Sequence, residues 1–218
     1  SAVSTSAIDL SWTDNSSVED GFLVERRPSG GSYVEVATLA VDTTAYSDTG
    51  LTAGTGYAYR ITAYNATGDS SSIEASGSTY SKIEDWRLFY FETIDNSGEA
   101  ADDSDPDFDS IANLIEFATG SDPTSFSPNP LDTATLGTDG QFSFTWRVDS
   151  GYDFSIGFSA DLGAGFTYYD SATLDGGSSP ELEFIGNSGP DGNGIETRTY
   201  GLRDTVTDPS VFLRLQVN

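Results

Sequence analysis

Six residues in the middle of the chain have the types and the spacing needed to bind a metal ion. They are Asp105, Asp107, Asp109, Ile111, Asn113 and Glu116. Counted from Asp105, they stand at positions 1, 3, 5, 7, 9 and 12. Ca²⁺ is a hard cation that takes six to eight oxygen ligands. Calcium loops supply them from side chains at positions 1, 3 and 5, a backbone carbonyl at 7, a side chain or water at 9, and a bidentate carboxylate at 12. The spacing therefore predicts a Ca²⁺ site with Ile111 contributing its carbonyl.

This segment resembles the Asp-rich calcium loops of the EF-hand, dockerin and thrombospondin type 3 class, and the resemblance implies a structural Ca²⁺. It departs from that pattern at position 6, where Ser110 replaces the usual glycine. The backbone at this position normally has a positive φ, which costs a residue other than glycine about 1 kcal/mol. The alternative interpretation is a solvated acidic linker without a bound ion.

A second acidic group lies just upstream of the loop, and its members are Asp95, Glu99, Asp102 and Asp103. These carboxylates could form a second ion site or add ligands to the first. The alternative is an acidic loop that is simply solvated, as expected for many of the carboxylates in so acidic a chain.

The amino-acid composition limits the catalytic groups, metal ligands and partners that are open to this chain. The 218 residues include 35 acidic and 9 basic side chains, and no Cys, His or Met. The absence of Cys and His excludes Ser-His-Asp and Cys-His catalysis, imidazole or thiolate metal sites, and disulfides. A hydrolase would have to use a carboxylate pair, and no such pair stands in a catalytic motif, so we predict no enzyme. The net charge of −26 disfavours nucleic acid and anionic membrane surfaces as partners, and no apolar stretch is long enough to cross a bilayer.

The first 80 residues predict a β-sandwich, because apolar residues alternate with period two between Gly, Asp and Asn turns. The segment Leu51-Thr-Ala-Gly-Thr-Gly-Tyr57 is its most specific feature. Together with Trp12 at a core position of the second strand, it resembles the fibronectin type III domain. In that family the tyrosine hydroxyl bonds an upstream backbone group, which implies this role for Tyr57. Little chain precedes Trp12, so we expect the family's first strand to be largely missing and its neighbour to have an open edge unless another segment covers it.

Residues 81–123 change to a helical period. Ser81 and Glu84 form a capping-box pattern, and one side of the first helix is apolar. The residues on that side are Ile83, Trp86, Phe89 and Tyr90. A second helix is indicated by an i, i+3, i+4, i+7 pattern that ends before Gly120. Its apolar residues are Ile111, Leu114, Ile115 and Ala118. We predict a helix–calcium loop–helix connector over 81–123.

Residues 124–218 return to period two and predict a second antiparallel sandwich. The strongest runs are residues 142–148, 152–158 and 211–217, and weaker ones lie near 166–173, 182–185 and 195–202. The predicted fold is therefore mainly β. It consists of two antiparallel immunoglobulin-like β-sandwiches, at 1–80 and 124–218, joined by the short helical segment.

These features favour a non-catalytic, calcium-stabilised structural or adhesion module of a larger secreted or cell-surface protein. Residues 81–218 are similar to the trailing part of large secreted bacterial surface proteins. Expected partners are other domains of the same polypeptide or neighbouring identical subunits. One alternative is a subunit of an extracellular filament assembled by strand complementation at the open N-terminal edge. Another is a carbohydrate-binding accessory module of a polysaccharide-degrading enzyme, with Tyr168 and Tyr169 as the sugar platform.

Overall fold

A computed structural model describes residues 1–70, 73–127, 141–159, 165–203, 206 and 212–218. Its contacts divide the chain into two units, Ser1–Asp85 and Trp86–Asn218. Each unit is mainly β and each has a buried core of its own.

The described residues of the first unit, 1–70 and 73–85, form seven strands. They are β1 (Ala7–Ser11), β2 (Gly21–Pro28), β3 (Val34–Ala40), β4 (Ala45–Thr49), β5 (Gly56–Asn65), β6 (Gly68–Asp69) and β7 (Ile73–Ser78). β1 pairs with β4, and the second sheet runs β3-β2-β5, with both β6 and β7 paired to β5. The alternating side chains of these strands meet in a core built around Ile8, Val24, Leu51, Tyr57 and Tyr59. This is the sandwich that the sequence predicts.

The tyrosine corner is confirmed, because the Thr52 backbone N–H donates to the Tyr57 hydroxyl at 3.0 Å. The structure does not confirm the expected core role of Trp12. Trp12 follows the end of β1, is only half-buried, and packs its ring on Phe22 at a centroid distance of 5.7 Å. The core position of this strand is held instead by Ile8, which is 1% exposed.

The predicted open edge of β1 is covered along part of its length by the chain's own first residues. Asp9 donates its backbone N–H to the Ser1 carbonyl at 3.0 Å, and Val3 donates to Ala7 at 3.2 Å. Ala2 and Ile8 form an antiparallel bridge. Another segment therefore covers the edge over Ala7–Asp9, because the first residues of the chain fold back on the strand and pair with it.

One buried ion pair ties the two sheets of the first unit together. Asp48 on β4 is 3% exposed, and both of its carboxylate oxygens accept from Arg26 Nη1 on β2 at 2.9 Å. The Tyr59 hydroxyl on β5 donates to Asp48 Oδ2, also at 2.9 Å. The charge of Asp48 is thus compensated by a cation and a hydrogen bond, as a buried carboxylate requires.

Helix α1 (Lys82–Phe91) begins with the predicted capping box. Ser81 donates its N–H to Glu84 Oε2 at 2.7 Å, and Glu84 donates its N–H to Ser81 Oγ at 3.3 Å. The predicted apolar side is correct for Ile83 and Trp86, which are 9% and 8% exposed, but Phe89 is 78% exposed. The Trp86 ring packs on Tyr90 one turn later, at 5.2 Å, so Phe89 turns away from the buried side.

The second unit contains the remaining elements. They are a 3₁₀ turn (Gly98–Ala100), α2 (Asn113–Thr119), β8 (Gln141–Arg147), β9 (Phe154–Ser159), β10 (Thr167–Asp170), α3 (Ser171–Asp175), β11 (Leu182–Asn187), β12 (Ile195–Leu202) and β13 (Phe212–Val217). Two antiparallel sheets, β11-β12-β8 and β10-β9-β13, share one core rich in Phe, Trp and Tyr side chains. The predicted second sandwich is present. Val211 lies outside the described residues.

Helix α2 packs on β8 of the same unit. Arg147 Nε donates to the Phe117 carbonyl at 3.0 Å, and Thr145 Oγ1 donates to the Thr119 carbonyl at 2.7 Å. The sequence divides the chain into 1–80, 81–123 and 124–218, whereas the contacts place everything from Trp86 onward in the second unit. The difference arises because α2 has a sandwich strand as its docking surface.

Candidate metal centre

The three aspartates of the loop converge. Asp105, Asp107 and Asp109 are half-buried, and each offers a carboxylate oxygen within 4.8 Å of the other two. The backbone wraps around these side chains: Asp109 N–H lies 3.1 Å from Asp105 Oδ1, and Ser110 N–H donates to Asp105 Oδ2 at 2.9 Å. Ligands at 2.3–2.6 Å from one Ca²⁺ lie at most about 5 Å apart. The spacing of the three carboxylates is compatible with that limit.

The loop adopts the left-handed backbone that its position 6 requires. Ser110 has φ 73° and Phe108 has φ 62°. A residue with a Cβ is strained in this region by roughly 1–2 kcal/mol. The sequence identifies Ser110 as the departure from the motif, and the fold accepts this conformation without a glycine. The Phe108 side chain is 85% exposed, so its positive φ does not place the ring in the core.

Glu116 is the most unusual group of the site. It lies on α2, it is fully buried, and neither of its carboxylate oxygens has a hydrogen-bond partner. Burial, with added repulsion from Asp107, Asp109 and Asp105, raises the pKa of Glu116 to about 8. A carboxylate buried without a partner is costly, and it is stable only when a proton or a cation compensates the charge.

Asn113 presents a second buried oxygen. The side chain is 1% exposed, and its Nδ2 donates to the carbonyls of Glu99 at 2.7 Å and Ala101 at 2.8 Å. Two carbonyl acceptors fix which end of the amide is the nitrogen, so Oδ1 is the end that remains buried without a partner. Ile111, between the aspartates and Asn113, is 2% exposed and donates its N–H to Asp109 Oδ1 at 2.8 Å.

The candidate ligands are therefore all oxygen atoms, and several of these buried oxygens have no hydrogen-bond partner. Asp107 Oδ2 is also buried without a partner, and burial raises the pKa of Asp107 above its usual range. Asp109 Oδ2 accepts the N–H of Ser127 at 2.8 Å, which ties the segment after α2 to the loop. Carboxylate and amide oxygens at the spacing of a calcium loop suit a hard divalent cation and offer nothing to a thiophilic one.

The upstream acidic residues do not join into a comparable cluster. Asp95, Glu99 and Asp103 are exposed. Asp102 forms an ion pair with Arg87, which is 4% exposed, and Asp102 Oδ2 accepts from Asn96 Nδ2 at 2.9 Å.

Sequence reasoning missed Arg87, although a lone arginine in an aromatic helix near many acids was the signal available. Its Nε also donates to the Ala100 carbonyl at 3.1 Å, so it holds the segment that precedes the loop.

Tyr168 and Tyr169 do not form one platform. Adjacent residues of a strand point to opposite faces, and these two lie on β10. Tyr168 is 40% exposed, whereas Tyr169 packs against the core and donates its hydroxyl to Glu181 Oε2 at 2.5 Å. Burial and this hydrogen bond raise the pKa of Tyr169 to about 12.

A second group of converging carboxylates lies in the first unit, where no sequence motif indicates a metal site. Asp14, Glu19 and Asp42 each offer a carboxylate oxygen within 4.8 Å of the other two. Sequence reasoning missed this group because its members come from two different loops, with no spacing that any known motif shares.

Comparison with known proteins gives a family match for the first unit. Residues 1–78 match the family described as the fibronectin type III domain. A comparison with curated proteins found no match.

Similar solved structures include three from different contexts. The fibronectin type III domain of human collagen XX is 24% identical over 35% of this chain and 80% of its own, with a TM-score of 0.33. The twitchin kinase region from C. elegans is 29% identical over 36% of this chain and 14% of its own, with a TM-score of 0.31. A β-1,2-glucanase from Parabacteroides distasonis is 20% identical over 41% of this chain and 14% of its own, with a TM-score of 0.34.

The family match ends at residue 78, so it covers neither the acidic loop nor the second sandwich. Residues 1–78, with the tyrosine corner and the strand pairing described above, are supported as a fibronectin type III domain.

Proposed function

We propose that this chain is a non-catalytic, calcium-stabilised structural or adhesion module of a larger extracellular or cell-surface protein, and that Ca²⁺ bound to residues 105–116 stabilises the second unit. Fibronectin type III domains are typical of structural and adhesion modules and are common in extracellular proteins. Within the described residues, no helix has the length and apolarity to span a membrane.

The observation that carries the calcium proposal is the buried carboxylate of Glu116. Both of its oxygens lack a hydrogen-bond partner, and three aspartates lie close enough to raise its pKa. A divalent cation at this point removes the repulsion and supplies the missing partner in one step. Asp105, Asp107, Asp109, Asn113 and Glu116 would provide side-chain oxygens, and Ile111 its carbonyl.

The proposed extracellular location is compatible with a calcium site of low affinity. Extracellular calcium modules bind with Kd values of roughly 10⁻⁴–10⁻³ M, which suits the calcium level outside cells. A ligand that binds only the folded state stabilises it by about 2.7 kcal/mol at a hundredfold excess over Kd.

Neither alternative function gains a specific observation in its favour among the described residues. The edge of β1 needed for strand complementation is paired along Ala7–Asp9 with the first residues of the chain. The tyrosines of the predicted sugar platform face different surroundings.

A calcium titration followed by the amide NMR signals of residues 105–116 tests the proposal. We expect saturable shifts in the unmodified chain, and an affinity at least about tenfold lower in Glu116→Gln, since even changes to outer-shell partners of a metal cost that much. Asp95→Asn is the matched control, because it removes an exposed carboxylate of the same unit. Unshifted signals in the unmodified chain, or equal affinities for it and Glu116→Gln, would contradict the proposal.

A further inference from the structure

The second carboxylate cluster, Asp14, Glu19 and Asp42, is created by the topology of the first unit. Asp14 follows β1, Glu19 precedes β2, and Asp42 connects β3 to β4. The pairing Ser11↔Ala45 brings the end of β1 beside the start of β4. The pairing Gly21↔Ala40 brings the start of β2 beside the end of β3. The two loops therefore meet at one end of the sandwich.

Glu19 is the member of this cluster that needs a partner. It is 8% exposed, and its Oε2 is buried without a hydrogen-bond partner. Its Oε1 accepts a long hydrogen bond from the Asp42 N–H, at 3.4 Å. A carboxylate placed in this way, beside two further carboxylates, is stable when a cation or a proton compensates it.

The geometry of the cluster favours a cation in this role. Asp14, Glu19 and Asp42 each offer a carboxylate oxygen within 4.8 Å of the other two. One cation can contact all three oxygens at once, whereas a proton resides on a single carboxylate.

We propose that Asp14, Glu19 and Asp42 bind a second Ca²⁺ ion, which fastens the β1–β2 loop to the β3–β4 loop. Three carboxylate oxygens within 4.8 Å of one another fit the ligand separations of a single Ca²⁺. Glu19 supplies a fixed buried ligand. Asp14 is half-buried and Asp42 exposed, so water completes the coordination on the outer side.

The ion is Ca²⁺ rather than a transition metal, because all three donors are carboxylates and the chain contains no His or Cys. Solvent access and the small number of protein ligands make the site weak, with a Kd of about 10⁻³ M as in the weaker extracellular modules. This site lies wholly in the first unit and shares no ligand with residues 105–116, so either site can fail without the other.

The test is a titration of the full chain with CaCl₂, following amide NMR signals of residues 14–20 and 40–43 separately from those of 105–116. We expect both sets to shift, each with its own saturation curve. Asp42→Asn is the key variant, since Asp42 is exposed and its replacement leaves the core intact. It should weaken binding at the first set by about tenfold and leave the second set unchanged.

Three further variants complete the design. Glu19→Gln should abolish the shifts of the first set, while Glu35→Gln, which neutralises an exposed carboxylate on β3, should leave them unchanged. Glu116→Gln should affect only the second set, which separates this inference from the proposed function. The inference is overturned if the first set does not respond to Ca²⁺, or if it responds equally in Asp42→Asn and the unmodified chain.

Discussion

At the scale of single residues, Glu116 governs how the second unit responds to pH. Its pKa is raised to about 8 in the metal-free fold from an ordinary value of 4.5. Between these values the folded state holds a proton that the unfolded chain releases. The contribution of Glu116 is therefore fully present below pH of about 4.5 and is lost as pH rises towards 8.

We predict that, in metal-free buffer, the free energy of unfolding of the second unit falls by a few kcal/mol between about pH 5 and pH 8. Urea unfolding at several pH values measures this. Because the chain has no His, imidazole groups do not titrate in this window.

Glu116→Gln is the control for this pH dependence, since the amide stays neutral. Its unfolding free energy should vary little over the same range. A slope that persists in Glu116→Gln would show that another group causes it.

The ion pair of Asp48 gives a second prediction at this scale. Tyr59→Phe removes the hydroxyl that donates to Asp48 Oδ2. A hydrogen bond to a charged group contributes about 1.5–3 kcal/mol, so we expect the first unit to lose that much stability in chemical denaturation.

Tyr46→Phe is the matched control for Tyr59→Phe. It lies on β4 and packs against the same core, and among the described residues no hydrogen bond to its hydroxyl is found. Equal losses in the two variants would mean that the Asp48 contact contributes nothing specific.

At the scale of elements, Arg87 links helix α1 to the segment that leads into the metal centre. It donates to the Ala100 carbonyl and pairs with Asp102. The same segment accepts from the start of α2, where Leu114 N–H donates to the Asp102 carbonyl at 3.0 Å. Arg87 thus supports the position of α2 and of Glu116 on it.

We expect Arg87→Ala to destabilise the second unit by about 1.5–3 kcal/mol, because it removes the hydrogen bonds of a buried cation to the Ala100 carbonyl and to the partly exposed Asp102. Its affinity for Ca²⁺ at residues 105–116 should fall as well, by about tenfold. Denaturant unfolding and calcium titration measure the two effects. Arg27→Ala, which removes an arginine of the first unit, should change neither property of the second unit. A second unit as stable in Arg87→Ala as in Arg27→Ala would refute this role.

Most elements could be predicted because their patterns are local. Alternation predicted a sandwich over 1–80 and located strands β8 to β13 of the second unit, and the Ser81–Glu84 pair located the start of α1. Helix α3 was missed because five residues are too few to show a period, although Asp170 caps it by accepting from the Thr173 N–H at 2.7 Å. The strand expected over 166–173 therefore ends at Asp170.

The site was predictable only where its ligands are close in sequence. Spacing alone placed Asp105, Asp107 and Asp109 together, and the structure brings their oxygens within 4.8 Å. The complete burial of Glu116 and the roles of Arg87 and Glu19 depend on contacts between distant segments. No periodicity or spacing carries that information.

Across the whole molecule, the excess of negative charge means that bound cations should stabilise the folded chain. A net charge of −26 makes the compact state repel itself, and bound divalent ions reduce that repulsion where carboxylates are closest. The two units have separate cores, so the effect of an ion should be read in each unit separately.

Hydrogen exchange of the intact chain, measured by mass spectrometry with millimolar Ca²⁺ and with a chelator, shows directly whether Ca²⁺ stabilises the second unit. We predict that Ca²⁺ slows exchange in peptides covering residues 105–120 and in β8, which packs against α2. Identical exchange of these peptides with and without Ca²⁺ would contradict a calcium-stabilised second unit.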